Sequence, residues 1–119
     1  MAEHNEFGKE AEKLAAEYLI KKGYTILEKN YRFQKAEIDI IAKKNNVIIV
    51  IEVKGRKESF LERPEDAVNK KKINLLIKAI NEYVIVNELD SEIRFDIISI
   101  IKNNQNSDIQ HFKSAFYHF

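Results

Sequence analysis

The spacing of hydrophobic residues changes several times along this chain, and each change marks a new element. Apolar residues recur every three to four positions from about residue 6 to residue 22, which predicts an amphipathic helix. Gly23 then provides a stop signal. Alternating apolar and polar residues predict strands over 24–33, 37–43 and 47–56. The first half of the chain therefore reads as a helix followed by three strands.

Helical spacing returns in the second half of the chain. Pro64 suits the first turn of a helix, and the helix is predicted to run to about Val86. Residues 92–102 alternate as another strand, and the aromatic tail over 109–119 predicts either an extra edge strand or a surface for a partner. A helical crossover places the strands that it joins parallel to each other.

The predicted order is thus α-β-β-β-α-β. It indicates an α/β fold with a mixed central sheet flanked by helices. The length of 119 residues favours a single domain over residues 1–119.

Asn45 and Asn46 lie between the second and third strands and are typical of a two-residue hairpin turn. Counting outward from that turn pairs Lys44 with Val47, Ala42 with Ile49, Asp39 with Glu52, and Glu37 with Lys54. Facing carboxylates repel each other unless a positive charge lies between them. The pattern therefore predicts a charged patch on the sheet that resembles a metal-dependent phosphodiesterase site.

The residue types of this patch suit Mg²⁺ or Mn²⁺, because these ions prefer oxygen ligands and accept one or two carboxylates together with water and phosphate. Asp39 and Glu52 are the predicted ligands, and Lys54 would orient the attacking water or stabilise charge on the phosphate. The alternative is structural. The two carboxylates would then lie on a solvated sheet face, with Lys54 as a partner in an ordinary ion pair.

Two charged residues of the helices are further candidates. Glu10 flanks the apolar stripe of the first helix, where it would either extend the metal site or be an ordinary boundary glutamate. Lys72 falls inside the apolar arc of the second helix, and a buried amine needs an anionic partner. That partner is either the carboxylate patch or a substrate phosphate, unless the side chain simply extends to solvent.

Three charged residues on or beside the strands complete the predictions. Arg56 continues the face of the third strand as a candidate phosphate clamp, and Glu37 supports the charged patch. Asp96 next to Arg94 predicts a structural ion pair.

Composition narrows the possible partners. The formal net charge is only +1, so any nucleic-acid site must be a local patch. Cysteine is absent, which excludes disulfides and thiolate metal sites. The polar N-terminus lacks a hydrophobic targeting segment, and no apolar run is long enough to span a membrane. We therefore expect a cytoplasmic protein without a membrane partner.

The segment from Asp39 through Glu52-x-Lys54 resembles the PD-(D/E)xK nuclease signature. The chain from Gly8 to Phe116 also resembles the YraN-like family of bacterial proteins. The pieces that carry this second resemblance are Gly8-Lys9-Glu10-Ala11, Tyr18-Leu19, Gly23-Tyr24, Asn30-Tyr31-Arg32, Glu37-Ile38-Asp39, Glu52-Val53-Lys54-Gly55-Arg56, Ala67-Val68 with Lys72, Arg94-Phe95-Asp96 and Ala115-Phe116.

The resemblance implies a restriction-endonuclease-like core and Mg²⁺-dependent cleavage of nucleic acid, most simply DNA. The set of Glu10, Asp39, Glu52 and Lys54 is also similar to archaeal Holliday-junction resolvases, which implies a possible homodimer acting on branched DNA. The chain departs from the family where Ala36 replaces a usual glycine, which would strain a backbone with positive φ. The alternative function is a non-catalytic nucleic-acid-binding or scaffold module that keeps the fold.

Overall fold

The computed structural model describes residues 6–57, 69–102 and 106–116, which form two helices and five strands. The first six elements follow the predicted α-β-β-β-α-β order, and a fifth strand follows them. The elements are α1 (Glu6–Lys21), β1 (Thr25–Phe33), β2 (Ala36–Lys44), β3 (Val47–Lys57), α2 (Lys70–Val86), β4 (Glu92–Lys102) and β5 (Ser107–Phe112). Neither helix in this part of the chain is long and apolar enough to cross a membrane.

The five strands form one mixed sheet in the order β1-β2-β3-β4-β5. The pairs β1–β2, β2–β3 and β4–β5 are antiparallel, whereas β3 and β4 are parallel. The parallel pair follows from the α2 crossover, as predicted. β5 confirms that part of the aromatic tail is an edge strand.

The two helices cover opposite faces of the sheet. On one face α2 buries Leu76, Ala79, Ile80 and Tyr83, and on the other α1 buries Ala11, Ala15, Ala16 and Leu19. The central strands are apolar on both sides because both sides are covered. Each fully buried isoleucine, such as Ile48 or Ile98, contributes about 1.5–3 kcal/mol.

The β2–β3 turn has the predicted form. Asn45 and Asn46 both have positive φ, at 52° and 65°, as a type I′ turn requires. Lys44 pairs with Val47, and the pairing continues to Ile40 with Ile51. In the preceding turn the positive φ of 57° falls on Gln34 and not on Ala36, so the alanine there is not strained.

The start of α2 differs from the prediction. Asn69 is extended, with φ −110° and ψ 175°, and its side chain accepts a hydrogen bond from the backbone N–H of Lys72. An extended N-cap residue cannot continue a preceding helix, so α2 begins at Lys70 and not at Pro64. Pro64 itself lies outside the described residues.

The tail beyond β5 packs on the protein's own core. The rings of Phe116 and Phe95 have centroids 5.2 Å apart, and Ala115 N–H donates to Phe95 O at 2.8 Å. Part of the segment that could have served as a dimer surface is therefore used internally. Residues 117–119 lie outside the described part.

Candidate active site

The candidate site lies where β2 and β3 part. Backbone pairing stops at Ile40 and Ile51, and beyond it Asp39 Oδ2 accepts the N–H of Val53 at 2.8 Å. Ile38 packs on the α2 side of the sheet and Ile40 on the α1 side, although residues two apart normally share a face. The alternation of β2 is thus interrupted at Asp39, whose carboxylate replaces a strand hydrogen bond.

A cleft of about 720 Å³ opens at this point, between the N-terminal ends of α1 and α2. Its charged lining residues are Glu12, Lys35, Glu37, Asp39, Glu52, Lys54, Lys71 and Lys72. The N-terminus of a helix carries a partial positive charge that favours anions. The cleft therefore brings the carboxylates of Asp39 and Glu52 close to lysine amines and to helix N-termini, which are groups that bind phosphate.

Asp39 and Glu52 are brought together as predicted, although not as a backbone pair. The Glu52 side chain is only 5% exposed. Burial, and then the nearby Glu52 carboxylate, raises the pKa of Asp39 to about 8, although the Val53 N–H and Lys72 oppose this rise. Ionising both carboxylates at the same time is therefore unfavourable in the ion-free protein, and a cation bound between them would lower that cost.

Lys72 contacts the carboxylate patch, which is one of the two anionic partners that the sequence suggested for its amine. Its Nζ donates to Glu52 Oε2 at 2.5 Å. The residue lies one turn before the buried Leu76, so the predicted inward direction of Lys72 is correct.

Lys54 lines the cleft without forming an ion pair to another described residue. Backbone pairing of β2 with β3 ends at Ile40 and Ile51, so the predicted cross-strand pairing of Lys54 with Glu37 does not form. On the other side of β2, Glu37 pairs with Arg32 of β1, with a distance of 3.3 Å between Arg32 Nη2 and Glu37 Oε1. Within the described part of the chain, no carboxylate competes with a cleft ligand for the Lys54 amine.

The acidic residue that α1 brings to the cleft is Glu12 and not Glu10. The Glu10 side chain is 48% exposed and faces Lys102, with Oε1 to Nζ at 3.6 Å. Glu12 lines the cleft and contributes to raising the pKa of Asp39. The signal for Glu12 in the sequence is weak: Ala16, one turn later on the same side of the helix, is a small apolar residue, and the structure shows that it is buried.

Asn30 is a second residue that sequence reasoning missed. With its amide oriented to donate, Asn30 Nδ2 lies 3.2 Å from both Glu12 Oε1 and Glu37 Oε2. Its positive φ of 54° is tolerated better by asparagine than by most residues. Asn30 therefore ties α1 to the start of β2.

Arg56 lies farther along β3, where it pairs with Ile101 in β4, and it does not line the cleft. In the described part of the chain no group of three acidic or histidine side chains is close enough to hold a metal ion. Among the described residues of the cleft, Asp39 and Glu52 are the two buried or nearly buried carboxylates that could hold an ion together. Such a pair suits Mg²⁺, which often takes only one or two carboxylates and fills its other positions with water and phosphate.

A second charged centre lies on the α1 side of the sheet. Asp96 is fully buried and accepts hydrogen bonds from Arg94 Nε and Nη2, both at 2.9 Å, and from Ser114 N–H at 3.0 Å. His111 Nε2 lies 2.7 Å from Asp96 Oδ2, and His111 Nδ1 lies 3.0 Å from the Tyr18 hydroxyl. The predicted structural ion pair of Asp96 with Arg94 is confirmed.

The model of the Uncharacterised protein family UPF0102 matches residues 11–100 of the chain. The chain belongs to the UPF0102 family. It is 57% identical to UPF0102 protein FP2501 of Flavobacterium psychrophilum and 56% identical to a UPF0102 protein of Christiangramia forsetii, in each case over 100% of both chains. A UPF0102 protein of Flavobacterium johnsoniae is 50% identical, again over 100% of both chains. The resemblance to the YraN-like family is confirmed, and the UPF0102 match contains Asp39, Glu52, Lys54 and Lys72.

Proposed function

We propose that this protein is a divalent-metal-dependent nuclease that hydrolyses phosphodiester bonds in DNA, built on a restriction-endonuclease-like core. The observation that carries the proposal is the convergence of Asp39 and Glu52 in one cleft with the amines of Lys54 and Lys72. The mixed sheet with a helix on each face supports the fold assignment. The names of the relatives give the family alone, so the activity rests on the site.

Asp39 and Glu52 would hold Mg²⁺ or Mn²⁺. When bound, the ion would stabilise negative charge on the phosphoryl oxygens and acidify a water molecule. The residues fit this ion because they offer oxygen donors alone and lack enough positive charge of their own. Asp39 is also held in place, since its second oxygen bonds the backbone of β3.

The remaining groups of the cleft would bind and orient the substrate. The Lys54 amine would donate a hydrogen bond to the attacking water or to a phosphate oxygen. Hydrolysis forms a new P–O bond to that water and breaks the P–O bond to the leaving sugar oxygen. Lys35 and Lys71 on the rim, together with the two helix ends, would attract the DNA backbone. Arg56 does not line the cleft, so it would contact a phosphate of the DNA strand that lies outside the cleft.

Glu12 takes over, in this proposal, the supporting role that the sequence suggested for Glu10. It would tune the metal site through its effect on Asp39. Glu12→Gln is expected to lower the cleavage rate, whereas Glu10→Gln removes the same charge from the outer side of α1. A larger loss of cleavage in Glu10→Gln than in Glu12→Gln would reverse this assignment.

One observation favours the alternative of a non-catalytic nucleic-acid-binding or scaffold module. Lys72 already neutralises Glu52, and Asp39 can be neutralised by a proton near neutral pH. The cleft can therefore persist without a metal ion. This alternative predicts salt-dependent binding of nucleic acid without cleavage at any divalent-ion concentration.

The deciding experiment is a titration of Mg²⁺ and Mn²⁺ by calorimetry into the wild type, Asp39→Asn and Glu52→Gln. Cleavage of linear DNA, branched DNA and RNA is followed in parallel. We expect the wild type to bind metal and cleave, and both variants to lose both properties. Full metal-dependent cleavage by Asp39→Asn would rule the proposal out. Sedimentation of the same wild-type sample tests for the two-fold dimer that cutting of two strands of a branch would favour.

A further inference from the structure

The Glu52 carboxylate already has a cation. The Lys72 ammonium lies 2.5 Å from Glu52 Oε2, and the Glu52 side chain is 5% exposed. A buried carboxylate has few directions from which a cation can approach. An ammonium and a divalent ion would therefore compete for the exposed side of this group.

We propose that Lys72 is an internal competitor for the divalent ion at Glu52. In the ion-free protein it neutralises the carboxylate, and ion binding turns its ammonium outward into the cleft. The inference rests on the proposed metal site, and it adds a switch to that site. The ion would thus convert Lys72 from a partner of the protein into a partner of the substrate phosphate.

The position of Lys72 allows this movement without any change in the helix. Its side chain is 39% exposed, and its flexible four-carbon stem can swing toward water. Its backbone N–H is held separately by the Asn69 side chain at 2.8 Å. The first turn of α2 therefore stays capped whether or not the ammonium is on Glu52.

Lys54 differs from Lys72 because its amine does not bind Glu52. It lines the same cleft and makes no ion pair with another described residue. Removing Lys54 leaves Glu52 with its cation, whereas removing Lys72 leaves Glu52 open. Only the loss of Lys72 is therefore expected to strengthen metal binding through release of this carboxylate.

The test measures the affinity of Mn²⁺ alone, in the absence of nucleic acid, by calorimetry or by the spin-resonance signal of free Mn²⁺. The proteins compared are the wild type, Lys72→Met and Lys70→Met. Lys70 is the matched control, because it is exposed, belongs to the same turn of α2 and does not line the cleft. We expect Lys72→Met to bind Mn²⁺ about tenfold more tightly than the wild type, the lower end of what a charge-assisted hydrogen bond supports. Lys70→Met is expected to change the affinity far less.

The outcomes separate this inference from the proposed function. Equal or weaker Mn²⁺ binding by Lys72→Met, with clear binding by the wild type, would overturn the competitor role and leave the metal site standing. No binding by any of the three proteins would overturn both. Binding by Lys72→Met alone would support the competitor role in its strongest form.

A second measurement uses the wild type alone and so does not depend on the folding of a variant. Acetylation of Lys72 and Lys70 is quantified by mass spectrometry with and without Mg²⁺. An ammonium held by a carboxylate reacts slowly, so Mg²⁺ is expected to increase modification of Lys72 and leave that of Lys70 unchanged. Equal modification of Lys72 under both conditions would contradict its release from Glu52.

Discussion

Two aspartates on neighbouring parts of the sheet show how surroundings decide what a carboxylate does. Asp39 and Asp96 each accept a backbone N–H, from Val53 and from Ser114. Burial and the nearby Glu52 raise the pKa of Asp39 to about 8. Burial by itself would also raise the pKa of Asp96, but hydrogen bonds from His111, Arg94 and Ser114 outweigh it and lower that pKa.

The difference lies in the supply of positive charge. Asp96 has the Arg94 guanidinium on both oxygens and needs nothing from outside the protein. Lys72, whose charge lowers the pKa of Asp39, is already bound to Glu52, and Asp39 lines the cleft. A carboxylate whose negative charge is fully balanced by protein groups stabilises the fold. A carboxylate without enough positive partners can bind a cationic ligand. The variants below test this contrast, from the largest expected effect to the smallest.

Asp96→Ala is expected to lower the free energy of unfolding by about 3–5 kcal/mol, because it leaves the partly buried Arg94 charge without its partner. Urea unfolding at pH 7 measures the change. Asp90→Ala, which removes an exposed aspartate, is the control for loss of negative charge. A loss below about 1 kcal/mol in Asp96→Ala, within the usual range for surface changes, would mean that this centre does not stabilise the fold.

Lys54→Met is expected to show the reverse pattern, with loss of activity and little loss of stability. Removing one well-placed donor to the transition state commonly costs about 10²–10³-fold in rate, so the cleavage rate should fall by about that factor. The free energy of unfolding should stay within about 0.5 kcal/mol of the wild type. Lys78→Met, at an exposed position of α2, is the matched control, and an equal loss of rate in both variants would show that only net charge matters.

Asp39→Asn is expected to stabilise the protein, with an effect that grows with pH. The folded-state pKa of Asp39 is raised above its usual value, so the folded protein binds this proton more tightly than the unfolded chain. Wild-type stability therefore falls as the pH rises from about 4 to about 8, because the unfolded chain releases this proton in that range while the folded protein keeps it; the asparagine variant has no such proton. We expect the advantage of Asp39→Asn to be several kcal/mol at pH 8 and almost none at pH 4.

Urea unfolding at pH 4, 6 and 8 checks this dependence, with Asp108→Asn, an exposed position on β5, as the control. A difference between wild type and Asp39→Asn that does not vary with pH would show that Asp39 is not held in a protonated form. The same experiment would then remove the electrostatic argument for a cation in the cleft.

The smallest effect concerns DNA binding without divalent ions, where Lys54 and Lys72 should differ. The slope of log K against log salt reports how many phosphates are neutralised. Lys54→Met should reduce this slope by about one, because its amine is available. Lys72→Met should reduce it by less, since its charge is committed to Glu52. Fluorescence anisotropy in a chelator-containing buffer measures both, and equal slopes would place the two lysines in the same role.

The sequence predicted the parts of the site that depend on local geometry. The Asn45–Asn46 turn predicted the register of β2 and β3 next to the turn, and the helical spacing predicted that Lys72 faces the sheet. What it did not reveal depends on contacts between distant segments. The Glu12–Asn30 contact and the approach of His111 to Asp96 require α1, β1 and β5 to be placed first. The start of α2 was missed because the capping side chain of Asn69 was not recognised in the sequence.

The tight Asn45–Asn46 turn also sets the order in which the site assembles. Asp39 and Glu52 lie on one hairpin, and hairpins form within about 1–10 μs. Lys72 arrives only with the crossover helix, and the parallel pairing of β3 with β4 joins residues as distant as Ile51 and Asp96, a non-local step that is slower. The carboxylate pair is therefore expected to form before its internal cation arrives, so a divalent ion present during refolding would reach the pair first.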